Sequence, residues 1–124
     1  MSRIQHLIDQ LRSTLSLKAA VTSVIVEENP MVVSVEPVRG RPGAFVLSFE
    51  KGFTEALSDD ELTAVIAHEL GHVWIFTHHP YLQTERLAND VAMRVVKRES
   101  LQRVYAKLWE RAGAKGDLAQ FLGQ

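Results

Sequence analysis

The sequence predicts one α+β domain over residues 1–124, with a helix first, a small three-stranded sheet next, and three more helices after the sheet. Two observations favour this class. Apolar residues recur at helical spacing near both ends of the chain, whereas residues 21–49 are rich in β-branched side chains. A length of 124 residues is enough for one hydrophobic core and is typical of one domain.

The first helix is predicted over residues 3–16, with Ser2 as a candidate cap. His6 lies beside the apolar stripe of this helix and is expected at the surface. The stripe itself consists of five residues at helical spacing, Ile4, Leu7, Ile8, Leu11 and Leu15.

Three strands are predicted over residues 21–27, 31–38 and 44–49, because these segments are rich in β-branched and aromatic residues. Turn-forming residues separate the strands at 28–30 and 39–43. The third strand leads almost directly into the next helix.

That next helix is predicted to begin after Ser58. Ser58 and Glu61 form the capping-box pattern, in which each side chain satisfies a backbone N–H group that the start of a helix leaves unpaired. The helix is expected to end near His79, because Pro80 disfavours helical geometry at the residue before it.

Within this helix, His68, Glu69 and His72 form the pattern H-E-x-x-H. Histidines four residues apart lie on the same face of a helix, so both imidazoles can hold one metal ion. On a capped and largely apolar helix, this pattern is typical of a zinc site.

A catalytic zinc needs three protein ligands and an open position for water, and two residues compete for the third place. His78 has the spacing of one zinc pattern, but Ile75 stands where that pattern needs glycine for a sharp turn. His78 should therefore continue down the helix, away from His72. Glu85 is the alternative, because Thr84 can cap a second helix, predicted to extend to residue 96, on whose apolar stripe Glu85 projects. A metal ion would compensate the cost of a carboxylate there.

Glu85 also fits a plainer interpretation, as a first-turn glutamate favoured by the helix dipole. Asn89 lies one turn beyond Glu85 on the same face, so it is the candidate that orients a zinc-bound histidine through its other ring nitrogen. Residues 80–83 should form a taut link, because the chain must double back within a few residues.

The last helix is predicted to begin with Ser100 as its candidate cap, and Gly113 lies just past its end. Residues 117–122 could form a final short turn. Phe121 is expected to pack in the core, although a tail this close to the predicted site could also cover the cleft and make the protein latent. The inward residues of the helix are Leu101, Val104, Leu108 and Trp109.

Together, the H-E-x-x-H helix and the Glu-x-x-Ala-Asn motif that begins at Glu85 resemble the gluzincin metallopeptidases over residues 44–97. Within them, the chain is most similar to the branch that contains the CAAX prenyl protease and the HtpX-type protease, with some ImmA/IrrE-like character. The resemblance implies a zincin-like fold and one Zn²⁺ per chain, held by His68, His72 and Glu85. It also implies a peptide or protein substrate and a general-base role for Glu69.

In the resembling families, an edge strand above the cleft binds the substrate as an added antiparallel strand. The resemblance therefore implies that residues 43–49 bind substrate. The candidate residues are Ala44, Phe45, Val46 and Leu47.

The predicted function is zinc-dependent hydrolysis of peptide bonds by a metal-activated water. The donor that stabilises the oxyanion stays open among Tyr81, His78, His79 and Tyr105. Two alternatives compete with the enzyme: a zincin-like pseudopeptidase that acts as a protein-binding regulatory module, and an interaction module without metal.

Composition narrows the class of protein further. The net charge is −1, so general affinity for nucleic acid or for an anionic membrane is not expected. The chain has no cysteine, which excludes a disulfide framework and a thiolate metal site. It has no apolar segment long enough to span a bilayer, and a cytoplasmic location is expected. The oligomeric state stays open.

Overall fold

The computed structural model describes residues 3–113 and 116–123. Its helices are α1 (Arg3–Thr14), α2 (Lys51–Glu55), α3 (Asp59–His78), α4 (Glu85–Ala92), α5 (Arg98–Ala112) and α6 (Leu118–Leu122). Its strands are β1 (Ala20–Val26), β2 (Val33–Pro37) and β3 (Ala44–Glu50). A 3₁₀ turn, Pro80–Leu82, joins α3 to α4. Ser2, the candidate cap of α1, lies outside the described residues.

The predicted α+β class is confirmed, but the sheet order differs from the prediction. The strands lie in the order β1-β3-β2, with β3 parallel to β1 and antiparallel to β2. The third strand is therefore central and not an edge strand. Its apolar side chains are the most buried of the sheet, since Leu47 and Phe49 are completely buried, and a central strand is where such burial is available.

Several helix ends also differ from the prediction. Helix α1 ends at Thr14, two residues earlier than predicted. Just beyond its end, Ser16 has a left-handed backbone with φ 57°. Helix α4 ends at Ala92, and a turn precedes α5. Helix α5 begins at Arg98, so Ser100 lies buried in its first turn and does not cap it. The predicted end of α5 is confirmed, because Gly113 has a left-handed backbone with φ 70°.

Helix α3 lies at the centre of the fold. It contacts β2 and α1 as well as α4 and α5, and its residues Ile66, Leu70 and Val73 are completely buried. Among the described residues, no helix combines the length and the apolarity that crossing a membrane would require. Three polar side chains of α3, those of His68, Glu69 and His72, line a cleft between α3, α4, α5 and β2.

Candidate metal centre

The start of α3 is held as the capping box predicts. The Ser58 hydroxyl accepts a hydrogen bond from the Glu61 backbone N–H at 3.3 Å, and Glu61 Oε1 accepts one from the Ser58 backbone N–H at 2.8 Å. Two turns further on, His68 and His72 stand on one face, with their ring centroids 4.8 Å apart. Local sequence thus brings the two imidazoles together.

Gly71 allows α4 to approach this face. A Cβ atom at Gly71 would lie 2.3 Å from the backbone oxygen of Ala88, closer than any side chain can tolerate. Because the α3 backbone carries no side chain here, α4 packs directly against it. This close approach brings Glu85, the first residue of α4, up to the two histidines.

Three candidate ligand atoms converge at this point. His72 Nε2 lies 2.5 Å from Glu85 Oε2, and His68 Nε2 lies 3.4 Å from the same oxygen. All three ligand atoms lie within 4.8 Å of one another. The structure therefore brings together His68, His72 and Glu85, the three metal ligands predicted from the sequence.

Two amide side chains orient the imidazoles. Asn89 Oδ1 lies 2.6 Å from His68 Nδ1, the contact predicted for Asn89. Gln83 Oε1 lies 2.8 Å from His72 Nδ1. The amide nitrogens are fixed by backbone oxygens, which only accept, because Asn89 Nδ2 donates to Phe121 and Gln83 Nε2 donates to His72. Both Nδ1 atoms are therefore donors.

The consequence is a site that requires a positive charge. With a proton on each Nδ1, the neutral imidazoles present the lone pairs of their Nε2 atoms toward Glu85, so three acceptors face one another without a donor. Two imidazole nitrogens and one carboxylate oxygen are a donor set that binds Zn²⁺. The residues therefore fit a metal ion.

The pKa values reflect the same need for a cation. Burial lowers the pKa of His72, but hydrogen bonds with Glu85 and Gln83 outweigh this effect and raise the pKa to about 9. The pKa of His68 is also raised, because the hydrogen bond with Glu85 and the charge of Glu69 outweigh burial. The hydrogen bonds with the two histidines hold the pKa of Glu85 well below its usual range. Without metal, a proton on His72 supplies the missing charge.

Glu69 lies beside the three ligand atoms but is not one of them. Its Oε1 is 4.0 Å from His68 Nε2, and its side chain lines the cleft. Burial raises the pKa of Glu69, so this carboxylate accepts a proton more readily than one in water.

The cleft is a cavity of about 480 Å³ between β2 and the helices. Its walls near the ligand atoms are polar, whereas its other walls are largely apolar. The apolar lining residues include Phe45, Phe53, Val65, Val73, Phe76, Leu101, Val104 and Leu108.

The substrate-binding residues predicted on the third strand need correction. Ala44, Phe45, Val46 and Leu47 lie on the central strand, whose two edges already pair with β1 and β2, so no further strand can add to it. Among these four, only Phe45 lines the cleft. The strand beside the cleft is β2, which the sequence did not single out.

The open edge of β2 carries unpaired main-chain groups. Glu50 N–H donates to Val32 C=O and Val38 N–H donates to Ala44 C=O, so the even-numbered residues of this segment pair with β3. In an antiparallel ladder the intervening residues point the other way. Val35 thus directs its N–H and C=O groups to the open edge, where no described strand pairs with them.

The sequence also matches a known protein family. The family model of peptidase family M48 matches residues 18–122. The chain belongs to peptidase family M48. Membership of this family makes it a metallopeptidase, which implies a divalent metal, typically zinc, and peptide or protein substrates. No curated protein matches the sequence.

The fold of this M48 chain is similar to that of a solved structure. It is the crystal structure of the metallopeptidase zymogen of abylysin from Pyrococcus abyssi, with a TM-score of 0.62 and 13% sequence identity. The alignment covers 92% of this chain and 99% of the abylysin chain. The predicted zincin-like fold is confirmed by this likeness.

The structure also separates the four oxyanion candidates of this M48 chain. The side chain of Tyr81 is 82% exposed, and His78 stacks on Trp74 with its Nδ1 bonded to the Trp74 carbonyl. His79 caps the exposed end of α3. Tyr105 alone among the four lines the cleft, and its hydroxyl accepts a hydrogen bond from Asn89 Nδ2 at 2.8 Å. Burial raises the pKa of Tyr105 to about 12, so its own proton remains available to donate.

The C-terminal helix does not cover the cleft. In α6, the ring of Phe121 stacks on Tyr105 with centroids 5.3 Å apart and packs near Trp109, as predicted for a core residue. No described residue of α6 lines the cavity. The expectation that the tail covers the cleft is therefore wrong for the described part of the chain.

Proposed function

We propose that this M48 chain is a zinc-dependent metallopeptidase of the gluzincin type, with one Zn²⁺ held by His68, His72 and Glu85. The observation that carries the proposal is the convergence of His68 Nε2, His72 Nε2 and Glu85 Oε2 within 4.8 Å. The amide partners of the two histidines leave both Nε2 atoms as acceptors toward the Glu85 carboxylate. Three ligands leave the fourth position of a tetrahedral zinc open for water.

A zinc ion bound there would polarise the substrate carbonyl and lower the pKa of a coordinated water to about 7. In this proposal, Glu69 accepts the proton of the attacking water and passes it to the leaving amine. Its position beside the ligands and its raised pKa support both halves of this proton transfer. The Tyr105 hydroxyl donates a hydrogen bond to the developing oxyanion.

The open edge of β2 binds the substrate as an added antiparallel strand. Val35 offers both main-chain groups at this edge, and backbone pairing of this kind requires little of the substrate sequence. The role that the family resemblance implied for the third strand is thus assigned to its neighbour β2.

The strand register supports one direction for such a substrate. Pro37 pairs with Phe45, whose ring contacts Phe76 with centroids 5.3 Å apart, so the end of β2 lies beside the C-terminal half of α3. An antiparallel substrate therefore runs from the Phe76 end of the cleft toward its other end. Residues after the scissile bond approach an apolar pocket and should be hydrophobic. That pocket is lined by Phe53, Val65, Leu101, Val104 and Leu108.

The test compares the unaltered chain with Glu69→Gln, using zinc analysis and a peptide mixture whose products are identified by mass spectrometry. Glu69→Gln should keep the metal and cleave about 100- to 10,000-fold more slowly. Cleavage should occur before hydrophobic residues. Glu99→Gln, on the exposed start of α5, is the matched control and should cleave normally.

The other outcomes exclude parts of the proposal. Equal cleavage by Glu69→Gln would remove the general-base role of Glu69. A chain that binds zinc but cleaves no peptide would be a pseudopeptidase, and a chain that binds no zinc would act without metal.

A further inference from the structure

The link between α3 and α4 contains a side chain that contacts His72 twice. Gln83 follows the 3₁₀ turn and precedes Glu85 by two residues. Its Oε1 lies 2.8 Å from His72 Nδ1, and its Nε2 donates to the His72 carbonyl oxygen, also at 2.8 Å. One amide thus holds both the ring and the backbone of the same residue.

The polarity of these two bonds determines the protonation of the ring. The backbone oxygen of His72 can only accept, so the amide nitrogen of Gln83 must face it and the amide oxygen must face Nδ1. An oxygen at that position requires a proton on Nδ1. The lone pair of the neutral ring then lies on Nε2, the atom directed toward Glu85.

His68 and His72 differ in the support that surrounds them. The partner of His68 is Asn89, which is completely buried and also bonded to Tyr105 and Phe121. The partner of His72 lies in an exposed link, and its two described hydrogen bonds both go to His72. The amide that orients His68 is therefore anchored in the core, whereas the amide that orients His72 is held, in its described hydrogen bonds, by His72 itself.

We propose that Gln83 is the positioning residue that holds His72 in the tautomer and ring orientation needed for metal binding. The inference rests on the proposed zinc site. Groups that orient metal-bound histidines contribute to affinity although they do not touch the metal. Because Gln83 lies in the same short link as Glu85, it also holds the start of α4 beside His72.

The experiment measures zinc affinity by competition with a chelator, and the thermal unfolding of the metal-free protein. Gln83→Leu keeps the approximate size of the side chain and removes both hydrogen bonds, so zinc affinity should fall about 10- to 100-fold. Gln83→Glu keeps an acceptor for Nδ1 but loses the donor to the His72 carbonyl, so its zinc affinity should fall less than that of Gln83→Leu. Gln10→Leu, on the exposed face of α1, is the matched control and should bind as the unaltered chain does.

Each alternative result has a distinct meaning. If the unaltered chain binds zinc and Gln83→Leu binds it as tightly, the metal site stands and the positioning role is wrong. If Gln83→Glu loses as much affinity as Gln83→Leu, the acceptor at Nδ1 does not matter and the role is again wrong. A metal-free Gln83→Leu that is already unfolded at the assay temperature also overturns the proposal, because Gln83 would then support the fold. If the unaltered chain binds no zinc, the metal site and the positioning role are wrong together.

Discussion

Asn89 shows how one side chain can connect a metal ligand to the rest of the protein. It is completely buried, accepts from His68 through Oδ1, and donates through Nδ2 to the Tyr105 hydroxyl and the Phe121 carbonyl. An aspartate could serve His68 equally well but has no protons for the other two oxygens. The surroundings thus explain why an amide stands at this position.

Asn89→Asp should therefore destabilise the metal-free protein. The new carboxylate oxygen would face the Phe121 carbonyl oxygen, which lies 2.9 Å from Nδ2. A buried oxygen left without a donor costs about 1–3 kcal/mol. Chemical denaturation of the chelated protein measures this loss, with the exposed Gln120→Glu on α6 as control. Unchanged stability in Asn89→Asp would show that the Phe121 contact is not important.

At the scale of the element, the crossing of α3 and α4 decides where Glu85 lies. The two helices touch at Gly71 and Ala88 through backbone atoms, and α4 begins three residues before that contact. Any side chain at Gly71 has to push α4 away. A small displacement at the crossing moves the carboxylate of Glu85 relative to both histidines.

Gly71→Ala should lower both stability and zinc affinity. Its Cβ would lie 2.3 Å from the Ala88 oxygen, a backbone atom that cannot rotate aside. Overpacking of this kind costs about 1–3 kcal/mol or more. Gly52→Ala is the control, because a Cβ there would meet only the end of the flexible Arg111 side chain, at 2.7 Å. Thermal unfolding and zinc titration of both variants measure these effects. If Gly71→Ala has the same unfolding temperature and zinc affinity as Gly52→Ala, the close crossing of α3 and α4 is wrong.

A second junction joins the start of α3 to α5 through a buried carboxylate. Lys107 Nζ donates to Glu61 Oε1 at 2.6 Å and to the Ala56 carbonyl at 2.7 Å. Burial alone would raise the pKa of Glu61, but hydrogen bonds from Lys107 and Ser58 lower it, and the net pKa is below the usual value of 4.5. The ionised form of Glu61 therefore stabilises the fold.

Glu61→Gln should reduce stability at neutral pH by about 1.5–3 kcal/mol, the range for hydrogen bonds to charged groups. Because the folded pKa is depressed, the contribution of Glu61 is fully present above pH 4.5 and is lost as the pH falls through the folded pKa. The difference between the two proteins should therefore shrink in acid. Denaturation curves between pH 7 and pH 3 measure it, with Glu99→Gln as control. A difference that is constant with pH would contradict this role.

At the scale of the whole molecule, the candidate metal centre joins α3 and α4, two helices that are connected in the chain by a short link. His68 and His72 come from α3 and Glu85 from α4, while the orienting amides come from α4 and the link. A metal ion that binds only when these parts are assembled favours the folded state.

Zinc should therefore raise the unfolding temperature, and a chelator should reverse the effect. At a free zinc concentration 100-fold above the dissociation constant, the stabilisation is about 2.7 kcal/mol. Calorimetry of the chelated and the zinc-loaded protein measures it. His72→Ala removes one ligand and should abolish most of the shift. An equal shift in His72→Ala would mean that zinc binds elsewhere.

Much of the fold and of the candidate site followed from neighbouring residues in the chain. The pattern of Ser58 and Glu61 located the start of α3, and the spacing of His68 and His72 placed both rings on one face. The helical period put Glu85 and Asn89 on one side of α4, where the structure finds both beside the histidines. These features depend on backbone geometry within a few turns, which is why the sequence was sufficient for them.

Other features depended on contacts between distant segments. The order of the strands could not be predicted from the sequence of each strand alone. The pairing of β3 with both neighbours depends on how the helices pack against the complete sheet. The open edge therefore fell on β2. Likewise, the short interval between the end of α3 and Glu85 predicted a taut link, but only the packing of α4 against α3 at Gly71 brings Gln83 against His72. The packing of α5 against α3 places Tyr105 at the cleft. Side-chain spacing along one helix is set by local geometry, whereas the meeting of separate elements is set by the packing of the complete core.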